Sequence, residues 1–341
     1  MRRTILVELA ILIILIITAV CMGAALFAPA ATPALSGAVE TQPSQAPTQS
    51  TQTEPTEPEP TWMTFPEDQQ VTAKQYFVYD VNAKQFLTIS GNQADRIYPA
   101  SVTKLFTCYV ALQYLDPEQV ITVGDELDMV AAGSSVAQLR QGDQLTVSQL
   151  VEAMLLPSGN DAAHVLAANA GRVIKKRTDI SASDAVAVFM TEMNRQATAV
   201  GMTGAHFANP DGIHRDNHYM TFADLAVLGT LCVSDATILK NAAISVDPVT
   251  FIARGAMVGE GVDDGDTVIW ENTNQLINPN SPYYCPYATG LKTGQTPRAG
   301  SCLLSSFAYE GKTYIIGVFN CPDVEARFAD TLLLFNQTIG K

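Results

Sequence analysis

Apolar residues are spread along this chain in three ways, and each predicts a different kind of structure. From Ile5 to Phe27 they run almost unbroken behind Met1-Arg2-Arg3, with Glu8 as an early interruption. From Ala31 to Pro60 they nearly disappear among Pro, Thr, Gln, Ser and Glu. From residue 71 onward they recur with the periods of strands and helices.

The folded part starts with two short β-branched and aromatic runs, Gln75–Asp80 and Gln85–Ile89, separated by the turn-like Val81–Lys84. Near the other end, Ser301–Tyr309 and Thr313–Phe319 flank Glu310-Gly311-Lys312 as a hairpin, and Ala288–Thr293 reads as a further strand before them. The middle is helical in pattern: Val102, Leu105, Phe106, Tyr109 and Leu112 share a face, as do Leu150, Met154 and Leu155, and later Phe189, Met193, Leu225 and Leu228. A last helix is expected over Val324–Asn336. The order predicts an α/β sandwich: an antiparallel sheet of about five strands built from both ends of the domain, helices on its faces, and an inserted helical region. The chain shows no internal repeat, so residues 71–341 read as one domain.

The unbroken apolar run is close to the roughly 20 residues that cross a bilayer, and the arginines before it belong on the cytoplasmic side. Residues 1–30 therefore read as a signal anchor, or as a signal peptide if the small-x-small Ala28-Pro29-Ala30 is processed. In the first case the domain is held outside the cell membrane, in the second it is secreted. Residues 31–70 read as a disordered tether, stiffened by Glu54-Pro55, Glu57-Pro58 and Glu59-Pro60, which favour polyproline-like backbone.

The formal charge of −14 and pI near 4.6 exclude a nucleic-acid partner, which needs a basic face. Of the six cysteines, Cys21 lies in the membrane segment, and Cys108, Cys232, Cys285, Cys302 and Cys321 form no C-x-x-C pair. Most read as buried free thiols; Cys302 and Cys321, on adjoining strands, are the one pair for which a disulfide stays open.

Three short motifs carry candidate chemistry. Ser101-Val102-Thr103-Lys104 opens a helical pattern; residues three apart share a face, so the Lys104 amine can reach the Ser101 hydroxyl, and a helix-start N–H is free to meet an oxyanion. Ser158-Gly159-Asn160 follows the helix stop Pro157 and precedes Asp161, a natural cap for a helix running to Asn169, so it sits on a tight loop that can aim a hydroxyl and an amide into a cleft. Lys292-Thr293-Gly294 ends a strand, where Gly294 admits a close approach and a peptide could add along the edge with its carboxylate near Lys292 and Thr293. Singly, each motif is also ordinary: a cap, a turn, a solvated lysine.

In this order the three are the set of serine β-lactamases and penicillin-binding proteins. The wording around them, Leu155–Ala163, Phe207–Gly212, His218–Thr221 and Gly290–Thr296, resembles the low-molecular-mass D-Ala-D-Ala carboxypeptidases over about Thr72 to Asn336. The resemblance implies a serine β-lactamase/DD-peptidase-like fold, removal of the terminal D-alanine from peptidoglycan stem pentapeptides through an acyl-enzyme, and β-lactam antibiotics as covalent inhibitors. It implies Ser101 as nucleophile, Lys104 as its base, Ser158 as proton relay and Asn160 as holder of Lys104 and of the substrate amide. Lys292 and Thr293, with Gly294 beside them, would bind the substrate carboxylate, and the Gln295 N–H would join that of Ser101 in the oxyanion hole. Burial and the second cation Lys292 are both expected to lower the Lys104 pKa.

Two departures from the family pattern bear on substrate choice and anchoring. The interval between Ser158 and Lys292 is long, with Val262–Asp266 and Asn278–Pro282 as loop insertions, and no β-rich second domain follows the last helix. His206, His214 and His218 lack a metal-binding spacing and read as structural, and neither metal nor cofactor is expected. A β-lactamase on the same fold and a catalytically silent wall-binding module are the competing functions.

Overall fold

The computed structural model describes residues 63–66, 68–255 and 267–341. The expected anchor, nearly all of the tether and the insertion Val262–Asp266 lie outside the described residues. Among the described residues, no single helix is long and apolar enough to cross a membrane.

In chain order the strands are β1 (Gln75–Asp80), β2 (Gln85–Ile89), β3 (Arg96–Ile97), β4 (Val120–Thr122), β5 (Gln144–Thr146), β6 (Met220–Thr221), β7 (Val246–Thr250), β8 (Thr267–Glu271), β9 (Ala288–Thr296), β10 (Gly300–Tyr309) and β11 (Lys312–Cys321). The helices are α1 (Thr103–Ala111), α2 (Val147–Leu155), α3 (Asn160–Lys175), α4 (Ala182–Ala199), α5 (Phe222–Ser234), α6 (Ala236–Ala242) and α7 (Ala326–Ile339). The main sheet has five antiparallel strands in the order β2-β1-β11-β10-β9, so the two ends of the domain meet where β1 pairs β11, with Gln75 opposite Phe319. The expected sandwich is the observed one.

Side-chain alternation buries β1, β10 and β11 on both faces, while the edge strand β2 stays largely exposed. Phe77, Leu304, Ile315 and Phe319 face one core, shared with α1 to α5, while Val78, Leu303, Phe307, Ile316 and Val318 face a second core under Phe328, Leu332 and Phe335 of α7. Helix α5 lies close on the first face, because Gly229 presents no side chain to Ile315; a Cβ there would come within 2.6 Å of it. The β10–β11 turn places Glu310 at φ 48° and Gly311 at φ 74°, the backbone a two-residue hairpin needs.

Packing begins before residue 71. Met63 and Phe65 rest on the second core, and Asn336 donates to the Met63 carbonyl at 3.0 Å. Asp330 of α7 accepts from the Thr72 N–H (3.0 Å), the Thr72 hydroxyl (2.9 Å) and the Ala73 N–H (2.7 Å). The segment entering β1 is thereby fastened to the last helix.

Several boundaries move. Helix α3 runs to Lys175 rather than Asn169, α7 starts at Ala326 and continues to Ile339, and β9 continues through Thr296. The β7–β8 hairpin lies in the stretch read as helical; each strand buries one main position, Val249 or Trp270, so its alternation is weak, and Pro248 masks the strand pattern. The Trp270 indole donates to the Ala137 carbonyl at 3.1 Å and fastens the hairpin near the cleft. Cys302 and Cys321 are buried free thiols; Ser301, not Cys302, stands opposite Cys321, and the register shifts between Ser301 and Leu303.

Candidate active site

Ser101 lies in the 3₁₀ turn Ala100–Val102 that leads directly into α1. Ala100 has φ 48°, an uncommon backbone for a residue with a side chain, and the turn is wedged between two glycines. A Cβ on Gly212 would fall 1.9 Å from the Ala100 carbonyl, and one on Gly294 would fall 2.8 Å from the Pro99 carbonyl and 3.1 Å from the Ser101 nitrogen. The close approach expected at Gly294 is thus made by the chain's own nucleophile turn. Any side chain there would crowd the Ser101 amide.

Lys104, one helical turn on, is fully buried, and its Nζ donates to Ser101 Oγ at 2.8 Å and to the Asp211 main-chain carbonyl at 2.7 Å. Burial lowers its pKa to about 8, opposed by the charges of Asp211 and Asp161. The repulsion expected from Lys292 falls instead on Lys292, whose pKa burial, Lys104 and Arg327 together hold well below the ordinary value. A lysine of this kind can be a free amine near neutral pH. With one N–H fixed on the Asp211 carbonyl, its lone pair can face the Ser101 hydroxyl.

Ser158 and Asn160 come from the loop between α2 and α3. Ser158 is buried at φ 65°, and Gly159 next to it is required by space, since a Cβ would meet the Ala153 carbonyl and the Asp161 carboxylate at 2.6 Å each. Asp161, expected as a cap, sits in the first turn of α3 and accepts from the N–H groups of Ala137 (2.9 Å) and Leu139 (3.1 Å). Asn160 is buried and its N–H donates to the Ser135 carbonyl at 2.9 Å. Among the described residues its side chain makes no hydrogen bond to Lys104, whose amine meets Ser101 and the Asp211 carbonyl.

The third motif lies on β9, the edge of the sheet. Lys292 is fully buried, not solvated, and its ammonium reaches the hydroxyls of Thr273 and Thr293 at 3.4 Å each, with those two hydroxyls 2.6 Å apart. Arg327 of α7, also buried, donates to the Gly294 carbonyl at 3.4 Å. Lys292 and Arg327 are buried here without a hydrogen-bonded carboxylate among the described residues, and an anion arriving along the strand edge would favour the protonated form of Lys292 against the burial that opposes it. Gln295 is exposed and lines a cleft of ≈ 790 Å³ that also touches Ser135, Thr296 and Pro297. Asn278–Pro282 comes near this corner: Ser281 and Pro282 line a ≈ 430 Å³ cavity together with Thr273 and Arg327.

Asp211, Thr273 and Arg327 were not visible as site residues in the sequence. Asp211 contributes a main-chain carbonyl, and the other two come from segments with no motif of their own; the Phe207–Gly212 wording was the nearest available signal. His218 is buried, accepts from the Ala208 N–H at Nδ1 (3.2 Å) and pairs through Nε2 with the Thr103 hydroxyl (2.8 Å), and burial lowers its pKa to about 4, so it is a neutral strut beneath α1.

Known proteins resemble this chain in sequence and in fold. The D-alanyl-D-alanine carboxypeptidase of Streptomyces sp. strain K15 is 31% identical over 266 residues, covering 76% of this chain and 84% of the relative. DacA of Escherichia coli K12 is 28% identical over 72% of this chain, which spans only 55% of that longer protein. The crystal structure of the Streptomyces K15 DD-transpeptidase matches with a TM-score of 0.68 at 28% identity, covering 82% of this chain and 100% of that one. Penicillin-binding protein D2 from Listeria monocytogenes, in its cefotaxime-bound form, shares the fold with a TM-score of 0.61 at 24% identity, covering 79% of this chain and 98% of that one. The family model described as D-alanyl-D-alanine carboxypeptidase matches residues 62–323, a span that contains all three motifs, and the chain therefore belongs to the D-alanyl-D-alanine carboxypeptidase family of serine peptidases.

Proposed function

We propose that the enzyme removes the terminal D-alanine from peptidoglycan stem pentapeptides, with Ser101 as nucleophile and Lys104 as base. The observation that carries this reading is the 2.8 Å contact between Ser101 Oγ and a fully buried amine whose pKa is lowered to about 8. Lys104 takes the Ser101 proton as Oγ attacks the carbonyl carbon of the penultimate D-alanine. The resulting oxyanion is stabilised by the N–H groups of Ser101 and Gln295. A proton passed through Ser158 reaches the leaving amine, the C–N bond breaks, and water later cleaves the Ser101 ester. The substrate carboxylate pairs with Lys292 and Thr293, with Thr273 beside them, and Asn160 steers the peptide amide.

A β-lactam acylates Ser101 by the same steps, and its adduct is expected to be long-lived. The fast route of β-lactamases needs a carboxylate that activates water. Glu192 on α4 is committed to Arg195 of the same helix and to Tyr114, which follows α1, and Arg195 holds its pKa down to about 2. Glu271 ends β8 exposed to solvent, and Glu260 lies outside the described residues. The test is mass spectrometry of the full chain with a muropeptide pentapeptide and with a penicillin. Loss of one D-alanine from the peptide and a Ser101 adduct persisting for minutes are expected. Decay of the adduct within seconds after removal of free drug would favour a β-lactamase, and no adduct would favour a silent wall-binding module.

The apolar run Ile5–Phe27 behind Arg2 and Arg3 supports a domain held outside the cytoplasmic membrane on an extended tether. Protease added to intact, wall-stripped cells is expected to release or degrade the domain; complete protection would place it inside.

A further inference from the structure

Helix α3 is buried on all sides over residues 160–168, and among Ala162, Ala163, Val165, Leu166, Ala167 and Ala168 stands one imidazole, His164, only 6% exposed. A packing role at this position would be met by an apolar residue, because a buried polar ring loses its hydration and recovers it only through hydrogen bonds. Among the described residues His164 makes one such bond: its Nε2 lies 3.2 Å from Asp211 Oδ2, and its buried Nδ1 has no hydrogen-bond partner. The residue lines a cavity of ≈ 240 Å³ whose wall includes Asn209 and Arg215.

Asp211 is the residue whose main-chain carbonyl receives the Lys104 ammonium. Several polar groups of the loop around it are fixed. The Pro210 carbonyl accepts from Thr107 (2.7 Å), Asn209 bridges Gly212 N–H (2.8 Å) and the Ile213 carbonyl (2.7 Å), and Asp211 Oδ1 accepts from Ile213 N–H (3.0 Å). The remaining oxygen, Oδ2, is the one His164 meets. Burial disfavours the Asp211 charge, yet the hydrogen bond from His164 and the nearby Lys104 charge more than offset it, and the carboxyl stays below its ordinary pKa. The Asp211 charge in turn strengthens the hold of Lys104 on its proton.

We infer that His164 is a positioning residue for acylation: it holds Asp211 so that its carbonyl directs Lys104, and it divides the buried Asp211 charge between itself and the Lys104 amine. The inference rests on Lys104 being the base. Other charged or titratable groups around His164, Asp211 and Lys104 are Asp161 on α3, Arg215 and His218 on the loop, and Lys292 on β9, while Met129 of the Asp125–Met129 turn and Val186 of α4 line the same cavity. Without His164 the Asp211 charge acts on Lys104 undivided, so the amine keeps its proton to higher pH. Without the Asp211 charge it releases the proton earlier.

The test is the second-order rate constant for acylation of the full chain by a penicillin, followed against pH in His164→Met, His164→Gln, Asp211→Asn and the Asp211→Asn/His164→Met double variant. The rising limb is expected to move to higher pH in His164→Met, with a roughly tenfold lower rate below the limb for each pH unit of displacement. His164→Gln, which keeps a donor at the same reach, should return the limb toward the wild-type position. Asp211→Asn should move it to lower pH, and in that background His164→Met should shift it no further. Limbs that coincide with wild type in His164→Met and Asp211→Asn, or that move in the same direction, would reduce His164 to a space-filling residue. Should His164→Met fail to fold, the His164→Gln and Asp211→Asn profiles carry the decision, with an unmoved Asp211→Asn limb against the inference. The base assignment is tested separately by the Lys104→Met variant; wild-type acylation there would overturn both readings.

Discussion

Replacing Ser101 by alanine is expected to abolish penicillin labelling and D-alanine release together while leaving a folded protein. The chemical loss is complete because, among the described residues, the hydroxyl on the Lys104 amine at 2.8 Å belongs to Ser101, and no other side-chain hydroxyl bonds that amine. The structural loss is small. Ser101 is only half-buried, its second contact, to the Asp211 carbonyl, is a long 3.5 Å, and Lys104 keeps its 2.7 Å bond to that carbonyl. Water can enter from the cleft to replace the missing oxygen, so stability should change by about 1 kcal/mol or less. The measurements are labelling by a fluorescent penicillin, peptide hydrolysis and thermal unfolding of the same preparation. Retained labelling would move the nucleophile elsewhere, and lost labelling with a collapsed unfolding transition would leave the hydroxyl without a specifically chemical role.

What could be read from the sequence was what repeats at short range or stands in consecutive residues. The five-stranded sheet was legible because β1, β10 and β11 alternate or fill both faces with β-branched and aromatic residues, and the β10–β11 turn carries its glycine at the position where φ must be positive. The juxtaposition of Ser101 and Lys104 was legible because three-residue spacing on a helix fixes it. The partners that tune this pair were not. The Asp211 carbonyl reaches Lys104 across 107 residues of sequence and displays nothing in its side chain that announces the role. Thr273 and Arg327 reach the third motif from a loop and from the last helix, so their meeting with Lys292 and Gly294 is a property of the tertiary fold. The burial of Lys292 also defeats composition-based reasoning, which places lysines in water.

Lys104→Met is expected to lower the rate of acylation by on the order of 10³-fold, within the range general-base catalysis contributes, without weakening substrate binding. Binding should hold because the carboxylate corner is built by Lys292 with Thr273 and Thr293, and removing Lys104 relieves one of the charges that depress the Lys292 pKa, which favours the ammonium form there. Methionine roughly fills the volume of the buried side chain without its charge, so the variant should remain folded. The pH dependence of stability gives an independent sign. The Lys104 pKa is about 8 in the folded protein against an ordinary 10.5, so between these values the unfolded chain binds more protons than the native one. Wild-type stability contributed by this group therefore rises as pH rises from about 8 toward 10.5, and below pH 8 the protonated, buried amine weighs against folding. The methionine variant lacks this rise, and its unfolding midpoint at pH 7 should equal or exceed that of wild type. Stopped-flow acylation by a chromogenic cephalosporin, run beside denaturant unfolding at pH 7 and pH 9.5, measures both effects. An unchanged acylation rate would remove Lys104 as the base, and a stability difference between variant and wild type that is the same at both pH values would mean that burial does not depress its proton affinity.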